Sequence, residues 1–234
     1  MRVTRDEFGH EYETYRFGYC EYADLEPDED LAEIYGQGFL PYSADPSVQG
    51  RFYMARSARI ALTGFSCSSE NRRIAKRFDS MFSRKILPLA AARRDKRIRE
   101  LFLDYFAKRH GKDVMPPTRF DAILKTPLPI RFVTYEKDGS LVAAALEIST
   151  PTFDHFWFSA YDIAYAYRSL GMWLMLDAVR EAKRSGRTYA YLGTVYGEKA
   201  LYKTNFKPLS FWDGTAWEAN LATLKKLART EPKH

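Results

Sequence analysis

Apolar positions in this chain follow a mainly helical spacing from about residue 69 to 124 and a strand-like one from about 131 to 161. Residues 28–35 read as a short helix whose acids suit its N-terminus, stopped by Gly36 and Gly38. Residues 51–56 and 58–63 have strand character, and the second run alternates. A helix is expected over 69–83, capped by Ser68 or Ser69, with Ile74, Phe78, Met81 and Phe82 facing inward. A second covers 93–110, with Ile98, Leu101, Phe102, Tyr105 and Phe106 as its stripe. A third, shorter one follows Pro116-Pro117 over 118–124. The polar start, 1–16, is expected to be loosely ordered.

The texture then changes to strands. Residues 131–136 and 141–148 flank Lys137-Asp138-Gly139, and an Asp-Gly pair between apolar runs signals a hairpin. An aromatic strand covers 153–161. A helix over 170–185 ends at Gly186, a strand covers 189–192, a short helix 198–204, and a last strand pair reaches Trp217. The change of texture places a boundary near Pro127. It divides a 1–127 N-terminal α+β lobe and helical region from a 128–234 catalytic core.

Composition narrows the setting. A 234-residue chain with 46% hydrophobic and 28% charged residues is an ordinary globular protein. The net charge of +6 is compatible with a nucleic-acid partner without requiring one. Two cysteines, Cys20 and Cys67, exclude a disulfide framework and a four-cysteine zinc site, and fit a reducing compartment. The first residues lack the apolar core of a signal peptide, and no apolar run approaches membrane-spanning length. These features point to the cytoplasm, with no membrane partner and no metal or other cofactor.

The segment Tyr167-Arg168-Ser169-Leu170-Gly171-Met172-Trp173 joins a strand to a helix. Unsatisfied N–H groups and the helix dipole favour an anion there, and Arg168 adds positive charge. The segment is similar to the Arg/Gln-x-x-Gly-x-Gly/Ala loop of GNAT acyltransferases, with Trp173 in place of the last glycine. Downstream, Lys199-Ala200-Leu201-Tyr202-Lys203-Thr204-Asn205-Phe206-Lys207-Pro208 resembles the Ala-x-x-Leu-Tyr-x-Lys-x-Gly-Phe of the same superfamily. The resemblance implies an α+β, GNAT-like acyltransferase fold: a mixed central sheet flanked by helices, with a smaller N-terminal lobe.

Three further stretches resemble a narrower family. Leu101–Gly111 is similar to the Leu-Tyr-x-x-Tyr-x-x-x-Arg-His of aminoacyl-tRNA–protein transferases, the arginyltransferases and bacterial leucyltransferases. Phe65–Arg73 is similar to their Phe-x-x-Ser-x-x-Gln-Arg-Arg. Tyr161-Asp162, Ser169-Leu170-Gly171, Tyr191-Leu192-Gly193 and Tyr202-Lys203-x-x-Phe206-Lys207-Pro208 follow their order across the chain. The likeness implies an aminoacyltransferase that moves Arg or Leu from charged tRNA onto an amine, a protein N-terminus or a small amine, and so links it to N-degron chemistry. Two departures stand out. The family's paired N-terminal cysteines are absent apart from Cys20, leaving too few thiolates for a cysteine-ligated cluster. Asp162 is followed by Ile163 instead of Pro.

Such a reaction needs alignment and proton management, because an aminoacyl ester is already activated. Asp162 is a candidate to bind or deprotonate the acceptor ammonium, and a loop cap is the competing role. Tyr202 and Lys203 are candidates for steadying the oxyanion or the tRNA end. Tyr161, Arg168, Ser169, Gly171 and Gly193 are candidate substrate-binding positions. Arg72, Arg73, Lys76 and Arg77 form a basic group suited to a tRNA backbone, with Arg84, Lys85 and the 93–99 cluster as further cations. Two other activities share these features: an acyl-CoA N-acyltransferase, against which Trp173 argues by narrowing the pyrophosphate approach, and a non-catalytic tRNA-binding module.

Overall fold

The computed structural model of the chain describes residues 1–11, 16–26, 30–165 and 169–230. The polar N-terminus is not loose. Its strand β1 (Arg2–Glu11) pairs antiparallel with β2 (Arg16–Asp24), Arg2 opposite Asp24. The ladder satisfies the backbone without the apolar alternation that marks a half-buried strand, so the pattern misses it. Helix α1 (Leu31–Gly36), capped by the Asp30 carboxylate on the Ala32 N–H at 2.8 Å, leads into β3 (Phe39–Pro41) and β4 (Arg51–Met54). These strands complete a four-stranded sheet in the order β1-β2-β4-β3.

The second sheet has eight strands and uses both halves of the chain. From the first half come β5 (Ser57–Ala61) and β6 (Ser83–Pro88). From the second come β7 (Ile130–Lys137), β8 (Ser140–Ser149), β9 (Phe153–Tyr161), β10 (Tyr189–Thr194), β11 (Leu209–Trp212) and β12 (Trp217–Glu218). Their order is β12-β11-β5-β10-β9-β8-β7-β6, so the sheet crosses the expected boundary at residue 127. The hairpin between β7 and β8 turns at Asp138-Gly139 as expected, with Lys137 opposite Ser140. Only β9 and β10 run parallel, and their crossover helix is α6 (Leu170–Arg184).

Helix α2 (Ser69–Phe78) begins at a reciprocal cap. Ser68 Oγ accepts from the Asn71 N–H, and Asn71 Oδ1 accepts from the Ser68 N–H. The helix stops five residues short of expectation, because residues from Ser83 onward pair with β7 instead. Short α3 (Leu89–Ala92) precedes α4 (Lys96–Arg109), which the Asp95 carboxylate caps, and α5 (Pro117–Ile123) follows. A C-terminal helix, α7 (Leu221–Thr230), lay beyond the elements expected.

The large sheet separates two cores. One unites Ile74 and Phe78 of α2, the buried stripe of α6 and Leu224 of α7 with one sheet face. The other gathers Ile34 and Tyr35 of α1, Phe39, Phe52, Phe102 and Phe120 on the opposite face. The small sheet and α3–α5 therefore share a core, so the N-terminal part is welded to the large sheet. The fold class is the expected one, a mixed sheet flanked by helices with a small additional sheet. Gly38 sits at the weld with φ of +82°, its Cα facing the Trp212 ring.

Candidate active site

Strands β9 and β10 pair only from Phe153–Tyr189 to His155–Tyr191, and then part. Beyond that point β9 continues to Tyr161 along β8, whereas β10 bends along β5. The bend is a bulge. Tyr191 faces Arg59 but Thr194 faces Ser57, and Gly193 between them takes φ of +75°, a conformation costly for any other residue. Parting strands leave main-chain groups and a cleft at the carboxyl end of the parallel pair, where α/β folds usually seat ligands.

A cavity of about 530 Å³ lies along the far part of β9, between it and the first turn of α6. Phe156, Ser159 and Tyr161 supply the β9 wall, and Ser169, Leu170, Gly171 and Met172 the first turn of α6. Tyr105 and Arg109 reach in from α4, and Tyr202 from the turn Glu198–Asn205. The Tyr105 ring lies 4.7 Å from that of Tyr161. Ser169 takes φ of +77°, and its hydroxyl does not cap α6, so the first N–H groups of the helix have no side-chain cap from it. Gly171 lies against the Tyr161 ring, where an added Cβ would sit 3.7 Å from Cε1. Arg168 lies outside the described residues.

Lys203 follows the cavity-lining Tyr202 and turns its Nζ toward the Gly193-Thr194 backbone. Its Nζ donates to the Thr194 carbonyl at 2.6 Å and lies 3.9 Å from where a Gly193 Cβ would be, as does His155 Nε2. Burial pulls the Lys203 ammonium down to about 8. His155 is buried (1% exposed). Its Nδ1 lies 2.9 Å from the Tyr35 hydroxyl, and its Nε2 has no hydrogen-bond partner among the described residues. Burial, then the Lys203 charge, holds the imidazole down to about 3, so it is neutral at physiological pH. Tyr202 is 42% exposed, and desolvation raises its phenol, which keeps it a proton donor.

The structure brings Tyr161, Ser169, Gly171 and Tyr202 around one cavity, whereas Gly193 lines a separate pocket and Lys203 sits beside Gly193 without being among the residues that line the cavity. Asp162 is placed differently. Its Oδ1 accepts from the Ala164 N–H at 2.9 Å, capping the turn Ile163–Tyr165, and it does not line the cavity although both neighbours do. Trp173 corrects a sequence expectation. It is buried (3% exposed) under α6 against Phe82 and Tyr135, with Nε1 donating to Asp79, so it does not narrow the approach to the helix end.

The basic residues divide. Arg72, Arg73, Lys76 and Arg77 are exposed along one face of α2. Phe78, at the end of α2, contacts Trp173 in the first turn of α6, and Lys183 near the end of α6 donates to the Phe65 carbonyl at 2.5 Å. The two helices thus run in opposite senses, and the basic face leads toward the cavity. Four of the other cations pair with carboxylates. Arg84 binds Asp177 at 2.8 Å, Lys85 binds Glu136, Arg97 binds Asp95 and Glu136, and Arg99 binds Asp121. On α2, Arg73 likewise pairs with Glu70 at 2.7 Å, and Arg72 donates to the Cys67 carbonyl at 2.6 Å; exposed pairs of this kind are weak and exchange readily for a phosphate.

Sequence reasoning passed over Tyr105, Arg109, His155 and Arg119. The first two fell in a helix stripe and a helix end, and His155 in an aromatic strand. Their role depends on where β9 and β10 part, which no local pattern records.

Residues 97–213 match the family described as "Arginine-tRNA-protein transferase, C terminus". The aspartate/glutamate leucyltransferase of Stutzerimonas stutzeri (strain A1501) is 31% identical over 166 residues, 68% of this chain and 69% of its own. That of Pseudomonas fluorescens (strain Pf0-1) is 30% identical over the same shares. The solved structure of FemX covers 73% of this chain with 61% of its own, at a TM-score of 0.43 and 10% identity. The family match spans α4, the parting strands, the start of α6 and the Lys203 turn, all the elements that border the opening; the chain belongs to the arginine-tRNA–protein transferase family and is an aminoacyltransferase.

Proposed function

We propose that this protein moves leucine from charged tRNA onto the N-terminal amine of proteins that begin with an acidic residue, as the names of its leucyltransferase relatives describe for them. One observation carries the reading: the cavity beside β9 has the first turn of α6 on one side and Tyr202 on another, and the partly desolvated Lys203 follows Tyr202 with its Nζ on the Thr194 carbonyl where β10 parts from β9. The 3′ end of the tRNA fits the helix side, where N–H groups favour phosphate. The α2 face grips the acceptor stem by charge, without reading sequence. Attack by the neutral amine on the ester carbonyl makes a tetrahedral oxyanion, which the Lys203 ammonium and the Tyr202 hydroxyl steady. The C–O bond to the ribose then breaks, the amine loses its proton, and the tRNA leaves with a free hydroxyl. The parallel β9–α6–β10 crossover with its gap supports a GNAT-type lineage. Use of charged tRNA favours the cytoplasm, where no helix long and apolar enough to cross a membrane is required; none occurs among the described residues. The product, a protein with a new N-terminal leucine, is an N-degron candidate.

The test is label transfer. Purified protein is incubated with radiolabelled Leu-tRNA, Arg-tRNA or acetyl-CoA and peptides beginning with Asp, Glu, Lys or Arg. Label passing from Leu-tRNA to the Asp and Glu peptides supports the reading. Label from Arg-tRNA alone reassigns the amino acid, label from acetyl-CoA alone makes the protein an acyl-CoA enzyme, and tRNA binding without transfer makes it a binding module.

Two substitutions probe the assigned residues. Replacing Arg72 and Arg73 together by alanine is expected to weaken tRNA binding and reduce the slope of log affinity against log salt by about 2. An unchanged slope removes that pair from the footprint. Asp162→Asn keeps an oxygen to accept from the Ala164 N–H while removing the charge. If the carboxylate guides the acceptor ammonium, kcat/KM falls on the order of tenfold with thermal stability unchanged. Full activity leaves Asp162 as a turn cap only.

A further inference from the structure

A second pocket, of about 320 Å³, opens on the sheet face that carries the small sheet, at the small end of the range for ligand sites. Tyr42, Tyr53, Arg119, His155, Trp157 and Gly193 are among its walls. Its inner end is the Gly193-Thr194 backbone, the same segment whose carbonyl takes the Lys203 proton. Lys203, next to the cavity-lining Tyr202, therefore touches the same strand segment that closes this pocket.

Arg119 is the unusual member. Its Nη1 donates to the Val114 carbonyl at 2.5 Å and its Nη2 to Ser43 Oγ at 2.9 Å, which fixes the guanidinium plane. Its Nε is buried without a partner. Among the described residues no carboxylate pairs with it, whereas Arg51, Arg84, Arg97, Arg99, Arg131 and Arg180 all have one. Burial lowers its affinity for a proton, and the ionisable groups beside it are the Tyr53 and Tyr42 phenols. A half-buried cation held by neutral groups alone is costly unless an anion completes it. The second orphan in the same pocket, His155 Nε2, borders Gly193.

We propose that Arg119 is the specificity-determining residue for the acceptor, and that this pocket binds the side-chain carboxylate of an N-terminal Asp or Glu. The proposal rests on the aminoacyl-transfer reading and adds the residue that selects the acceptor. A carboxylate seated on Arg119 leaves the α-amine of the same residue on the Gly193 side, facing the donor carbonyl across the gap. Trp157 supplies an apolar wall, which strengthens the charge pair by excluding water.

Binding to the intact protein without tRNA tests this independently of transfer. Otherwise identical peptides beginning with Asp, Glu, Asn or Gln are titrated into wild type, Arg119→Gln and Arg119→Lys. Wild type is expected to prefer Asp over Asn on the order of 10–100-fold, Arg119→Gln to lose that preference, and Arg119→Lys to keep part of it. Equal binding of Asp and Asn peptides by wild type overturns the proposal, whether or not the variants fold. So does an Asp preference that survives in folded Arg119→Gln. If Asp-selective binding depends on Arg119 but no charged tRNA donates, the subsite stands and the transfer reading fails. With transfer active, the Arg119→Gln defect is expected in KM for acidic acceptors far more than in kcat.

Discussion

Lys203→Met is expected to lower kcat by roughly 10²–10³, the loss typical of removing one oxyanion donor, while leaving tRNA affinity within about threefold. Methionine keeps the length and apolar stem and removes only the ammonium. The pH dependence follows from the same group. Burial holds Lys203 at about 8, so the cation that steadies the oxyanion is present below that pH and lost above it. The acceptor α-amine, with an ordinary value of about 7.7–8.0, must instead be neutral to attack. Wild type is therefore expected to show a bell-shaped kcat/KM profile centred near pH 8, and Lys203→Met to lose the alkaline limb. Unfolding does not mimic that limb. The folded lysine binds its proton less tightly than the unfolded one, so between about 8 and its ordinary value the unfolded chain holds more protons. This group alone thus makes stability rise with pH in that window, not fall. Steady-state kinetics across pH 6–10, with melting measured in parallel, decides it. A Lys203→Met enzyme of near wild-type kcat would remove the lysine from the chemistry.

Gly38→Ala is expected to destabilise the protein by about 2–5 kcal/mol, more than any surface change. Two costs add. A φ of +82° is unfavourable for alanine by about 1–2 kcal/mol. The added methyl would also lie 2.3 Å from Trp212 Cγ, well inside contact distance, and the ring is hemmed in. Trp212 stacks edge-on with Trp217, whose Nε1 donates to the Gly36 carbonyl at 2.8 Å. Overpacking of that kind costs about 1–3 kcal/mol. Because Gly38 joins the α1 segment to β11, the loss also loosens the Arg119 pocket wall formed by Leu40 and Pro41. Denaturant unfolding of the variant reads the effect directly; a change below about 1 kcal/mol would mean that the small sheet moves freely on the large one.

The fold was largely legible where helices and strands carry one apolar face. The stripe of α6, the β7–β8 hairpin and the Ser68 cap follow from local spacing. Strands β1 and β6 were not, because a polar edge strand is specified by its ladder partner and not by its own alternation. The α2 boundary failed for the same reason, since Ser83 onward satisfies its backbone on β7. For the site, motif likeness singled out Ser169, Gly171 and Tyr202, which line one cavity, and Gly193 and Lys203, which lie beside one another next to it. It did not show that Trp173 points into the core or that Asp162 caps a turn, since the direction of a side chain depends on the packed neighbours. Arg119 carried no signal at all. A lone arginine in a short helix looks solvated until its lack of a carboxylate is seen in three dimensions.

The most direct measurement is a structure of the protein with a charged tRNA mimic whose ester is replaced by a stable amide. The terminal adenosine is expected between β9 and the first turn of α6, with its aminoacyl carbonyl next to Lys203 and its acceptor stem along Arg72–Arg77. A terminal adenosine bound anywhere else, with the β9–β10 opening left to solvent, would contradict the account.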